Sequence, residues 1–241
     1  MSQGVMVTTR PDWGDLPMKY GHSWFKEVVD KSREIGWRVT DLEADQATRI
    51  NLEATLINEN PLYFTGVGHG NEDTYTGQEL EILLAVGLNE EIMSGRVVYL
   101  LSCLTGVALG PALIANKCKA FLGYRVSFTW LVDTRYDPED DPKAASFKYA
   151  TNTIALSLAS GYMTLQAYKA GIKAFDDGIE LWSQSEDPEA SEVIHWLAVD
   201  RDGFVLYGDK SAMVVKGAAK PSFPQLPTII GSVGLMFGIG T

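Results

Sequence analysis

A chain of 241 residues, 46% apolar and 21% charged, has the length for one substantial core and the composition of neither a disordered nor a fibrous protein. A formal net charge of −11 argues against a nucleic-acid partner, because neutralising phosphates takes clustered Lys and Arg. Two cysteines, Cys103 and Cys118, are too few for a disulfide scaffold and fit a reducing compartment.

Val5 to Thr9 is a short β-prone run ended by Arg10-Pro11. Gly21 to Ile35 carries Trp24, Phe25, Val28, Val29 and Ile35 at helical spacing, with Gly36 as a stop. Trp37 to Leu42 alternates like a strand, and Ala47 to Ile57 reads as a second amphipathic helix closed by Asn60-Pro61. Leu62 to Val67 is an apolar strand that breaks into Gly66-Val67-Gly68-His69-Gly70. Glu79 to Leu88 reads as a helix, and Val97 to Leu101 as a buried strand ending at Ser102-Cys103.

A helix ending near Asn116 follows Gly106 and Gly110, and Ala120 to Tyr124 is another buried strand. A helix between the cysteines would hold them about 22 Å apart, beyond disulfide reach. Asp133 to Asp141 is an acidic loop marked by Pro138 and Pro142. Two helices are expected over 144–160 and 164–181, split at Gly161. Glu192–Val199 and Phe204–Leu206 read as a hairpin around Asp200-Arg201-Asp202-Gly203.

The domain is expected over residues 1–215, with 216–241 a Pro-rich linker and apolar tail. The run from Thr228 to Thr241 is shorter than the roughly 20 residues a spanning helix needs. Three readings of it stay open: a tail packed on the domain, a membrane anchor, and a disordered end. The N-terminus shows no apolar signal region, so a cytoplasmic location is expected, with membrane association through the tail left open.

Strands alternating with helices predict an α/β fold with a mostly parallel central sheet flanked by helices. In such sheets, functional groups gather at the carboxyl ends of the strands. Two of the expected loops sit there, one carrying His69 and one carrying Cys103. Right-handed crossovers bring their strands side by side or nearly so, and the expected helix over 79–88 would be the connector.

The chemistry suits that placement. A thiolate is the reactive form of cysteine, favoured near a helix N-terminus or a histidine, and a helix is expected shortly after Cys103. His69 would act as general base and then as the acid that protonates the leaving amine. Gly70 lets its backbone N–H approach a substrate carbonyl, and with the Cys103 N–H it would form an oxyanion hole. No third residue is evident. His22 reads as a surface or helix-start residue, His195 as a sheet residue beside Trp196, and Cys118 as a core or surface thiol. None has partners at metal-ligand spacing, so no metal or other cofactor is expected, with calcium left open.

The stretches YFTGVGHGN and VVYLLSCLTG resemble the two catalytic motifs of the caspase, legumain, clostripain and gingipain superfamily of cysteine peptidases. CKAFLGYRVSFTW, LASGYMTLQAYKAG and LYGDKSAMV extend the likeness over roughly residues 60–215, toward the gingipain-like and CHAT branch. The resemblance implies a caspase-like three-layer sandwich and peptide-bond hydrolysis through a thioester acyl-enzyme. It implies His69 as catalytic histidine, Cys103 as nucleophile and Gly70 as oxyanion-hole glycine. His69 lies 34 positions before Cys103, short of the roughly 50 of caspases, and the caspase Gln-Ala-Cys pattern is absent.

Asp133 and Ser102 are the candidate substrate-binding residues. A buried carboxylate at Asp133 would select Arg or Lys before the scissile bond through a charge-assisted hydrogen bond. The expected partner is therefore a peptide or protein substrate. The alternative reading is a catalytically silent caspase-like binding or regulatory module. Gly66-x-Gly68-x-Gly70 lacks dinucleotide spacing and a P-loop Lys, so a small-anion site there is the weakest reading.

Overall fold

The computed structural model describes residues 4–215, so the tail reading over 216–241 lies outside the described residues. β1 (Gly4–Arg10), α1 (Leu16–Glu34), β2 (Trp37–Glu43), α2 (Arg49–Glu59) and β3 (Tyr63–Val67) form the first half. A small hairpin, β4 (Thr74–Thr76) and β5 (Ile82–Ala85), precedes β6 (Val97–Leu101), α3 (Leu109–Ala115) and β7 (Ala120–Tyr124). Three helices follow, α4 (Ala145–Ala159), α5 (Thr164–Ser183) and α6 (Ala190–Gly203), before the edge strand β8 (Phe204–Gly208).

The main sheet has the order β2-β1-β3-β6-β7-β8, parallel except for β8, which runs antiparallel to β7. Its central strands are buried on both faces, so they are apolar throughout rather than alternating with polar residues. The strand period of two still sorts them. Val97, Tyr99 and Leu101 of β6 face the core under α1, α4, α5 and α6, while Val98 and Leu100 face the core under α2 and α3. Two helical layers on one sheet make the expected α/β sandwich.

The strand readings hold closely, but three elements differ from expectation. α1 starts at Leu16 rather than Gly21, because Asp15 caps it by accepting the Met18 N–H at 3.2 Å and Pro17 suits the first turn. Residues 79–88 form no helix. Glu79 and Leu80 sit at φ +52° and +62°, which breaks helical propagation, and Leu83, Leu84 and Ala85 are buried in the hairpin. β3 and β6 still pair directly, from Tyr63 opposite Val97 to Val67 opposite Leu101.

The expected hairpin around 200–203 is instead the helix α6 running straight into β8. Ala190, Val193, Leu197 and Asp200 are its buried stripe, a spacing of three and four. His195 therefore lies on a helix, its ring edge-on to Trp196 at 4.9 Å between centroids. His22 is half-buried on α1 with Nδ1 3.0 Å from the Arg10 carbonyl, and Cys118 is a buried free thiol. No helix of the described residues is long and apolar enough to cross a membrane.

Candidate functional site

The carboxyl ends of β3 and β6 carry His69 and Cys103 into one cleft of about 130 Å³. Its walls are the first turns of α1, the two strand ends, and Phe128 and Trp130 from the segment after β7. Gly21 lets α1 press onto β3, since a Cβ there would lie 2.3 Å from Val67 Cγ2.

The hairpin fixes the histidine. The Thr76 N–H donates to the His69 carbonyl at 2.9 Å, and the Thr76 hydroxyl donates to the same oxygen at 3.1 Å. Tyr75 anchors the hairpin in turn, its hydroxyl donating to the Val67 carbonyl at 2.9 Å. Gly70 bridges Tyr75, but the bridge hydrogen bonds are made by the neighbours, Asn71 to Thr74 and Thr76 to His69. The Gly70 N–H thus takes no part in the bridge.

Gly70 also packs on the cysteine loop. A Cβ there would fall 2.2 Å from Ser102 Oγ and 2.9 Å from the Cys103 carbonyl, so only glycine fits. Ser102 lines the cleft, yet its hydroxyl is buried without a protein partner. Leu104, at φ +60°, turns the chain beside Cys103, and its N–H donates to the Val126 carbonyl at 3.0 Å.

Asp15 is the residue that sequence reasoning missed. Its Oδ2 lies 2.9 Å from His69 Nε2, with the aspartate side chain half exposed and the histidine about one-third exposed. A proton on Nε2 toward that carboxylate leaves Nδ1 as the acceptor nitrogen.

The thiol is not activated as expected. Burial pushes Cys103 above the ordinary thiol pKa; a backbone hydrogen bond from Phe128 opposes this and the nearby Asp200 adds to it. Cys103 Sγ–H points to the Phe128 carbonyl at a long 3.9 Å. The helix after the cysteine does not help. α3 has only seven residues, and the N–H groups of Ala108 and Leu109 donate to the Glu72 carbonyl.

Asp133 is not brought to the cleft. It is buried within its own loop, where the Arg135 guanidinium holds both oxygens, Nε donating to Oδ1 at 2.7 Å. That pairing lowers its pKa to about 2. Asp200 is fully buried, with Oδ1 accepting the Thr129 N–H at 3.2 Å and Oδ2 unpartnered. Burial keeps its pKa well above the usual carboxylate range. Among the described residues no group of three His, Cys, Asp or Glu side chains is placed to hold a metal ion.

Neither a protein-family model nor a curated protein matches the sequence. Solved structures do match. The complex of Porphyromonas gingivalis RgpB pro- and mature domains superposes with a TM-score of 0.54 at 10% identity, over 89% of this chain and 49% of that one. The Arg-specific cysteine proteinase gingipain R (RgpB) gives 0.50 at 10% identity, over 88% and 48%. The chain has the gingipain fold. It spans about half the length of these gingipain chains, and the likeness is one of architecture: a mostly parallel six-stranded sheet flanked by helices.

Proposed function

We propose that the chain is a cysteine peptidase with Cys103 as nucleophile and His69 as general base. The observation that carries this reading is the meeting of His69 and Cys103 in one cleft, at the carboxyl ends of adjacent parallel strands. The gingipain fold supports it, since the fold neighbours are cysteine proteinases.

In the proposed reaction, His69 Nδ1 takes the thiol proton as Sγ attacks the scissile carbonyl. Asp15 keeps Nε2 protonated and stabilises the imidazolium that forms. The N–H groups of Gly70 and Cys103 receive the oxyanion. Collapse expels the amine, which takes the proton back from His69 and leaves a thioester on Cys103. Water, deprotonated by His69, then attacks the thioester, releasing the acid and regenerating the thiol. The partner is a peptide or protein, and no cofactor enters the scheme.

One observation favours a second reading, a catalytically silent binding module. Burial holds the Cys103 thiol neutral, and His69 Nε2 is turned to Asp15. Cleavage of an unstructured protein substrate by wild type, His69→Ala and Cys103→Ala separates the two. Turnover that disappears in both variants supports the peptidase. Equal traces of cleavage in all three, with Cys103 still open to alkylation, would establish the silent module.

A further inference from the structure

The cleft is apolar apart from the reacting groups and Ser102, whose hydroxyl is covered by Gly70. Met18 and Trp24 of α1, Val67 of β3, Leu101 of β6, and Phe128 and Trp130 form the rest of its working surface. The rings pack on one another, Trp24 to Trp130 at 5.2 Å and Phe128 to Trp130 at 5.8 Å between centroids. Among the described residues, His69 is the only titratable side chain in the lining besides the cysteine.

No carboxylate of the described residues is in the cleft lining. Asp133 is gripped by Arg135 in its own loop, and Asp15 is shared between the α1 cap and His69. Asp200 is buried behind the wall, holding the Thr129 N–H between Phe128 and Trp130. A guanidinium or ammonium entering the cleft would lose water and meet no carboxylate in its lining, a large penalty. An apolar side chain loses nothing of that kind. The volume matters too: a dry apolar cavity of about 150 Å³ admits benzene, so about 130 Å³ suits one branched or thioether side chain.

We propose that this cleft is the subsite for the residue just before the scissile bond, and that it selects a medium-sized apolar side chain of the leucine or methionine class. The inference rests on the peptidase reading and replaces the preference for Arg or Lys that Asp133 suggested.

Short peptidyl acyloxymethyl ketones differing only at the residue next to the reactive carbon test it on the wild-type protein. Leu, Met, Phe, Arg, Lys and Asp probes are compared by rate of Cys103 labelling, followed by intact mass. Iodoacetamide serves as the sequence-blind control. The Leu and Met probes should label at least tenfold faster than Arg, Lys or Asp, with Phe slower than Leu for lack of room. Trp130→Ala, which enlarges the cavity, should bring Phe level with or ahead of Leu.

Fastest labelling by Arg or Lys, or equal labelling by all six probes, would overturn the apolar subsite and leave the peptidase standing. Labelling by iodoacetamide but by none of the peptidyl probes would overturn both.

Discussion

Asp15 divides its carboxylate between its own helix and His69: Oδ1 accepts the Met18 N–H that starts α1, and Oδ2 lies 2.9 Å from His69 Nε2. Substitution can separate the two roles. Asn caps a helix about as well as Asp, so Asp15→Asn should leave stability nearly unchanged. It cannot stabilise an imidazolium, and its amide can hold the ring in the wrong tautomer. Turnover should fall roughly a hundredfold or more with KM little altered. Asp15→Ala should lose the same activity and also about 1 kcal/mol of stability. Full activity in Asp15→Asn would reduce Asp15 to a helix cap.

Gly70 is the contact that brings the histidine loop onto the cysteine loop. A methyl group there meets Ser102 Oγ at 2.2 Å, so Gly70→Ala must push the loops apart. Overpacking of this kind costs about 1–3 kcal/mol, and loss of an oxyanion donor costs roughly a hundredfold or more in turnover. Removing the Ser102 hydroxyl should relieve part of the clash. Gly70→Ala with Ser102→Ala should therefore be more stable than the sum of the single variants, as a double-mutant cycle in urea would read.

The parts of the fold that were legible are those in which one local signal dominates. Val97–Leu101 is an unbroken apolar run with Ser102-Cys103 at its end, and it is a buried central strand. The adjacency of β3 and β6 followed from topology rules even though the connector proved to be a hairpin. Asp15-Leu16-Pro17 carries a helix-start signal that the reading from Gly21 passed over, and nothing local marks Asp15 as a partner of His69. That contact depends on how α1 lies over β3, and a close approach of Gly21 to Val67 governs it. Around Asp200 two signals conflicted. β-prone Val193, Ile194 and Trp196 with Asp-Arg-Asp-Gly suggested a hairpin, whereas the buried stripe at 190, 193, 197 and 200 has a helix period. Tertiary burial against the sheet decided for the helix.

The two thiols should behave differently toward iodoacetamide. Cys118 is 4% exposed and its pKa is raised to about 12, so it should stay unmodified in the folded protein. Cys103 is half-buried in the cleft and should take a single adduct. Reaction needs the thiolate, and burial raises the Cys103 pKa, so the rate should still be climbing above about pH 8.5, the ordinary thiol value. A rate already level below about pH 7 would mean a preformed thiolate–imidazolium pair and overturn this account.

Asp200 should set a pH dependence of stability. Burial raises its carboxyl well above the usual carboxylate range, whereas in the unfolded chain it ionises near pH 4. The folded state therefore binds the proton more tightly. Its contribution is fully present below the unfolded value and is lost as pH rises toward the raised folded value. At neutral pH the wild type carries that cost. Asp200→Asn keeps an oxygen for the Thr129 N–H and cannot ionise, so its advantage should grow over the pH range above about 4, the unfolded carboxylate value. Each kcal/mol gained appears as about 2–4 °C in Tm for a domain of this size. A Tm difference that is flat across that range would show that Asp200 does not change protonation on unfolding.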